Sequence, residues 1–291
     1  MGFPLPSGPG TVAVAPPAPG AQNWAGAPSA ALDDDGSILL AYRMRWAGPD
    51  DANVIARSTD GGHYETVATL DKEPWAAAMV ERPALVRLDS GRWRLYVCGA
   101  TPSSKHWWIG AVEADTLEDL AGAELVTVFP GDADTGVKDP VVRRDRDGSW
   151  HAWICCHPLD VPDEEDRMTT AYATSGDGLE WRWHGTVLAG RPGRWDARGA
   201  RLASVLPDGG VAYDGRATKE ENWFERTGLA ARDGSDGIEA TSEGPVLEGR
   251  YLEAIPLPDG NMRLFWEARR ADGSHELRTD VVPPGPRRGA A

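Results

Sequence analysis

Lys138–Cys156 reads KDPVVRRDRDGSWHAWICC: an apolar run after Asp-Pro, an Asp-Gly turn at Asp147-Gly148, and a second run carrying Trp153. The same phrase stands at four other places. Its turn glycines are Gly36, Gly91, Gly148, Gly209 and Gly260, spaced by 55, 57, 61 and 51 residues. Pro28, Pro83 and Pro140 each precede their glycine by eight residues, and Tyr42, Tyr96, Trp153, Tyr213 and Phe265 follow in the second run. Two short apolar runs around an Asp-Gly or Ser-Gly turn make a β-hairpin. Hairpins repeated at about 50 residues are the mark of a β-propeller. The predicted fold is all-β: a single five-bladed β-propeller with four-stranded antiparallel blades.

Working outward, the five units fill residues 23–282 without an obvious linker. A second turn follows in some units. Ser58–Gly62 precedes Tyr64, and Ser175–Gly178 precedes Trp181. There Asp accepts backbone N–H groups, Gly takes positive φ, and the aromatic folds back. These are rim turns with a structural role. Residues 1–22 are an irregular Pro/Gly-rich lead, within which Thr11–Ala15 (TVAVA) alternates and is expected to pair near His275–Val282, closing the last blade. Residues 283–291 are expected to be a mobile tail. The best short helical stretch is Thr116–Glu124, and no unit carries the amphipathic helix that a βα barrel or solenoid requires.

Composition narrows the partners. The formal charge is −15, which argues against nucleic acid and anionic membranes. No run of about 18 apolar residues is present to span a bilayer, and Met1–Gln22 lacks the pattern of a secretory signal. Cys98, Cys155 and Cys156 are too few and wrongly spaced for a disulfide framework and are expected as buried thiols. The cytoplasm is the expected compartment. Thirteen tryptophans suit either packing between blades or stacking on sugar rings.

In a propeller the innermost strand of each blade starts at the central axis. Residues at those starts are Asn23, Trp24 and Ala27; Glu81 and Arg82; Lys138 and Asp139; Asp196, Arg198 and Arg201; and Arg250, Tyr251 and Glu253. Second strands add Arg43, His157, Asp214, Arg216 and Glu267. Charge replaces apolar character where strands should pack. Buried charge must be paired or functional, so the group is either a ring of salt bridges or a ligand site.

The Asp139-Pro140 strand start, with Val141-Val142 and Asp147-Gly148 behind it, resembles that of five-bladed propeller glycosidases: the arabinanase, xylosidase and fructosidase relatives, with mannoside phosphorylases as cousins. The resemblance covers nearly the whole chain. It implies a glycoside hydrolase-like enzyme that cleaves or transfers a glycosyl group by carboxylate acid/base catalysis, with one carboxyl protonated and one ionised. It assigns Asp139 as the third-blade carboxylate that tunes the acid. The first-blade base Asp has no counterpart, since Ala27 precedes Pro28; Glu81 is the replacement offered by the next unit. Asp196, Glu225 and Glu253 compete as the acid.

Arg82, Lys138, Arg198, Arg201 and Arg250 gather cations in an acidic protein. Guanidinium forks suit carboxylate or phosphate, so the substrate carries an anionic group, phosphate is itself the attacking species, or the arginines neutralise Asp139, Asp196 and Glu253. The loop Tyr213–Gly228, with Asp214, Arg216, Trp223 and Glu225, and the pair Trp107-Trp108 are candidate walls. The expected partner is a small molecule, a sugar or glycoside, with no cofactor and no metal. The alternative is a non-hydrolytic propeller: a biosynthetic acid/base enzyme, or a binding module for a sugar or an anionic metabolite.

Overall fold

Five Asp-Gly or Ser-Gly turns set the architecture. In each, the glycine has φ between 83° and 90°, a backbone that a side chain disfavours. Gly148 N–H donates to Asp145 O (3.0 Å) and Asp145 N–H to Ser149 O (2.9 Å), and the same pair of bonds recurs at Gly36, Gly91, Gly209 and Gly260. Each turn therefore joins the first two strands of a unit in one fixed register.

The computed structural model describes residues 2–232 and 237–285; most of the expected tail lies outside them. The chain is all-β. After β1 (Thr11–Val14) come β2 (Trp24–Leu32), β3 (Ile38–Arg45), β4 (Asp51–Ser58) and β5 (Glu65–Asp71). The second unit is β6 (Ala84–Arg87), β7 (Trp93–Ala100), β8 (Trp107–Ala114) and β9 (Val126–Phe129). The third is β10 (Thr135–Arg144), β11 (Trp150–Pro158), β12 (Thr169–Ser175) and β13 (Trp181–Leu188). The fourth is β14 (Gly199–Val205), β15 (Gly210–Arg216), β16 (Arg226–Arg232) and β17 (Ile238–Ala240). The last holds β18 (Arg250–Pro256), β19 (Met262–Arg269) and β20 (His275–Val282). Each unit is an antiparallel meander. β1 pairs antiparallel with β20, with Thr11 opposite Thr279, and supplies the fourth strand of the last unit. A single parallel bridge, Trp24 to His275, ties β20 to β2. The stretch expected as helix forms only the short 3-10 turn Glu118–Gly122.

Apolar clusters lie between neighbouring units. Leu39 and Ile55 meet Leu95 and Val112; Tyr96 and Ile109 meet Ala152 and Ile154. Trp153 and Tyr172 meet Leu202 and Tyr213; Ala203 and Leu206 meet Leu252 and Leu264. Leu40 and Tyr42 meet Phe265 and Leu277, which returns the series to the first unit. Each sheet is thus buried on both faces, which explains strands such as β7 and β15 with every residue buried. The first strands follow the same cycle: β2 touches β6, β6 touches β10, β10 touches β14, β14 touches β18, and β18 touches β2.

These first strands are irregular where they meet. Bulges interrupt β2 between Gly26 and Ser29, β10 between Lys138 and Val141, β14 between Leu202 and Ser204, and β18 between Arg250 and Glu253. Ala27, Asp139 and Tyr251 lie inside three of them with φ of 55°, 50° and 55°. A bulge re-aims side chains, and left-handed backbone at non-glycine residues persists only where surroundings hold it. The rim turns behave as expected. Ser58 Oγ and Asp60 cap the N–H groups of Gly61, Gly62 and His63, and Ser175 and Asp177 do the same for Gly178, Leu179 and Glu180. All three cysteines are buried and unpaired. Among the described residues no helix is long and apolar enough to cross a membrane.

Candidate functional site

Where the first strands converge, a cavity of about 320 Å³ opens to one side. Its wall includes Arg43, Glu81, Lys138, Arg201, Arg216, Glu225, Arg250 and Tyr251 from the sequence-derived set. All five units contribute, mostly through strand starts or second-strand ends, so the residues converge although they are far apart in the chain.

Two glutamates facing this space, Glu81 and Glu225, are tied to arginines. Glu81 accepts from Arg43 Nη1 and from Arg45 Nη2 (3.1 Å). Glu225 accepts from Arg216 Nη1 and from Arg250 Nη1 (2.7 Å). Behind them Glu267 takes Arg250 (2.6 Å), Arg43 (3.3 Å) and His275 Nδ1 (2.5 Å). Its Oε2 also accepts the Ala27 N–H at 3.1 Å. Burial opposes ionisation of all three. For Glu81 the fields of Arg43, Lys138 and Arg45 outweigh it and hold the carboxyl below the usual range. Arg250, Arg201 and Arg216 bring Glu225 down to about 2. Arg250, the His275 hydrogen bond and Arg43 hold Glu267 well below the usual range. These groups are anions at neutral pH, and none is an acid able to give a proton.

Asp139 sits one layer deeper. Its side chain is fully buried, with Oδ2 accepting from Arg201 Nη1 (3.0 Å) and the Tyr251 hydroxyl (3.2 Å), and Oδ1 from the Arg82 N–H (3.2 Å). Arg201 also grips Asp214 at 2.8 Å and donates to the Tyr251 hydroxyl at 2.7 Å. Asp214 in turn accepts the Tyr251 N–H at 3.0 Å, and burial raises its pKa against the pull of Arg201. Arg201 and Tyr251 therefore stand between Asp139 and the cavity.

Other expected site residues lie elsewhere. Asp196 precedes β14 in a turn, where Arg191 Nε (2.8 Å) and the Tyr213 hydroxyl (2.7 Å) hold it away from the cavity. Arg198 turns to Asp166 (2.6 Å) and Glu164. Arg82 crosses the centre below the cavity, where Nε meets Pro28 O (3.0 Å), Nη1 meets Ala203 O (2.7 Å) and Nη2 meets Glu253 (2.5 Å). Glu253 is thus on the far side of this plug; burial raises its pKa to about 7 against Arg82. Trp24 is buried behind the wall, stacked on His275 at 5.0 Å and approached by Arg43, Arg45 and Arg250.

Lys138 and His157, both in the wall, have no ion-pair or side-chain hydrogen-bond partner among the described residues. Lys138 has no carboxylate within ion-pair distance among the described residues; its Nζ lies 4.8 Å from the Trp107 ring centroid. His157 Nε2 is buried and has no hydrogen-bond partner among the described residues. Burial and then Lys138, Arg216 and Arg201 keep that imidazole well below its ordinary pKa, so it is neutral. Of the two adjacent indoles, Trp107 lines the cavity while the next residue in the strand faces away, as a strand's alternation demands. Arg45, Asp166 and Asn222 also line the cavity and were missed. Arg45 was readable, being two residues beyond Arg43 on one face of β3. Asp166 comes from a loop and left no signal.

The architecture has counterparts. A thermostable family-43 glycoside hydrolase matches with TM-score 0.68, 13% identity and cover of 92% of this chain and 95% of that one. The β-1,2-mannobiose phosphorylase from Listeria innocua matches with TM-score 0.65, 15% identity and cover of 88% and 89%. This chain has the fold of the propeller-type glycosidases. The α-L-arabinofuranosidase from Lactobacillus brevis agrees, with TM-score 0.67, 14% identity and cover of 89% and 93%. No family model matches the chain, and no curated protein matches its sequence. The propeller-type glycosidase fold therefore comes here with a cavity in which Glu81, Glu225 and Asp166 are already paired with arginines.

Proposed function

We propose that the chain is a five-bladed β-propeller of the glycosidase type whose central cavity binds a small sugar-class molecule bearing a carboxylate or phosphate. Turnover there is non-hydrolytic. The observation that carries this is Lys138, the one non-exposed cation of the wall with no carboxylate partner among the described residues. Beside it the neutral His157 offers an unpaired Nε2. An unpaired ammonium in a partly desolvated cavity costs free energy until an anion arrives, and a charge-assisted hydrogen bond returns it. The glycosidase reading with Asp139, Glu81, Glu253 and Asp196 as catalytic carboxylates is favoured less. Acid/base cleavage needs one protonated and one ionised carboxyl across the scissile bond. Asp139 is covered by Arg201 and Tyr251, Glu81 is ionised, and Glu253 and Asp196 lie outside the cavity.

Calorimetric titration tests this with glucuronate, glucose 1-phosphate, inorganic phosphate and glucose, on the wild type and Lys138→Ala. The expected result is binding of an acidic sugar but not of glucose, weakened by roughly 10- to 100-fold in the variant, as loss of one charged hydrogen bond implies. Equal binding of glucose, or release of a neutral aryl glycoside's leaving group that Asp139→Asn abolishes, overturns it.

A further inference from the structure

Beside the central cavity lies an open groove of about 490 Å³ between the fourth and last units. Trp223, Glu225 and Arg250 line both spaces. The Glu225–Arg250 ion pair is their common floor, at 2.7 Å, and Trp223 stands on the divide. This indole is held rather than loose. It packs edge-on against buried Trp24 with centroids 5.8 Å apart, and the next residue's N–H closes the turn onto Glu221 O at 2.8 Å. Trp223 still leaves 50% of its surface to solvent, and Phe224 leaves 41%. The Arg269 guanidinium lies 4.2 Å from the Phe224 ring centroid and has no carboxylate within ion-pair distance among the described residues.

We infer that the groove is a second subsite for the same ligand: an acidic disaccharide or glycoside whose charged ring enters the cavity and whose second ring stacks on Trp223 with its hydroxyls or acidic group toward Arg269. The chemistry favours a sugar ring. A polyhydroxylated ring has one apolar face for an indole and an equator of hydrogen-bonding groups for a guanidinium and a carboxylate. Both volumes fall within the range that small-ligand sites occupy, and the shared floor makes them contiguous. The neighbouring aromatics and the uncommitted arginine supply contact area and specificity that a single-ring ligand would leave unused.

This inference rests on the anionic reading of the cavity, and its test separates the two. Glucuronate and galacturonate, and disaccharides carrying each as one ring, are titrated against the wild type, Trp223→Ala, Trp223→Phe and Lys138→Ala, each checked for an unchanged melting temperature. The expected pattern is a disaccharide bound at least tenfold more tightly than its acidic monosaccharide. Trp223→Ala abolishes that advantage and weakens the monosaccharide much less than the disaccharide, Trp223→Phe keeps part of it, and Lys138→Ala weakens both ligands. A disaccharide bound no more tightly than the monosaccharide, or an equal loss for both in Trp223→Ala, overturns the second subsite and leaves the anionic cavity standing. Disaccharide binding that depends on Trp223 but is indifferent to Lys138→Ala supports the subsite and overturns the anionic reading. Binding of neither acidic ligand overturns both.

Discussion

Arg82 Nη2 and Glu253 Oε2 meet at 2.5 Å across the centre of the molecule, joining the second unit to the last. The same guanidinium bonds Pro28 O of the first unit and Ala203 O of the fourth. One side chain therefore ties four of the five units and closes the cavity from below. Truncation strands a buried carboxylate and two carbonyls, and breaking a buried pair typically costs about 3–5 kcal/mol. Arg82→Ala is expected to lower stability by about that much in urea unfolding. The double variant Arg82→Met, Glu253→Leu is expected to regain a large share, because it leaves no unpaired charge. A single variant as stable as the wild type would show that the crossing carries no load.

Glu253 gives the molecule a pH signature. Its folded pKa of about 7 lies above the ordinary carboxyl value, because burial outweighs Arg82. A carboxyl raised in the folded state contributes stability that is complete below the unfolded pKa and lost as pH rises through the folded one. The window is from about pH 4.5 to about pH 7. The melting temperature of the wild type is expected to fall across it, and Glu253→Gln, which mimics the protonated form, is expected to flatten that fall. Identical slopes for the two proteins would assign the pH dependence to other groups. Glu225 acts in the opposite sense: its pKa is lowered to about 2, so its contribution is lost only in acid.

Asp139→Asn distinguishes a structural role from a catalytic one. Asp139 holds Arg201, the Tyr251 hydroxyl and the Arg82 N–H in one place. Removing its charge leaves Arg201 with Asp214 as its one ion-pair partner among the described residues. The expected outcome is a loss of about 1–3 kcal/mol, the cost of under-satisfying a buried charged group, read as a lower melting temperature. Weaker ligand binding should follow through a displaced Arg201. An unchanged melting temperature with abolished turnover would return Asp139 to the catalytic role that resemblance gave it.

The hairpin repeat was readable because its cause is local: an Asp-Gly or Ser-Gly turn with positive φ at glycine specifies the register of two strands. Arg43, Lys138, Arg201, Arg216, Arg250 and Tyr251 could likewise be placed toward the centre from their positions at strand ends, and the structure puts all six in the cavity wall. What could not be read was depth. The bulges at Gly26–Ser29, Lys138–Val141 and Arg250–Glu253 break the alternation that sequence parity depends on. Asp139 consequently sits behind Arg201, and Glu253 beneath Arg82. Asp196 was misplaced for another reason: its partners Arg191 and Tyr213 belong to a turn and to β15, and only the folded chain brings them together.

The N-terminal segment is expected to act as a clasp. Phe3 is 5% exposed among Leu206, Leu252 and Leu264, the Ser7 hydroxyl and N–H bond Asp280 at 2.8 Å, and β1 covers the free edge of β20. Removing residues 1–16 deletes a core aromatic, typically worth about 3–5 kcal/mol, and uncovers a strand edge able to pair with another chain. The truncated protein is expected to melt well below the wild type and to aggregate with rising concentration, as light scattering would detect. Phe3→Ala in the full chain should reproduce much of the loss in stability but little of the aggregation, because β1 remains on β20. Aggregation of Phe3→Ala to the same degree as the truncation would instead make Phe3 the anchor without which β1 does not stay paired.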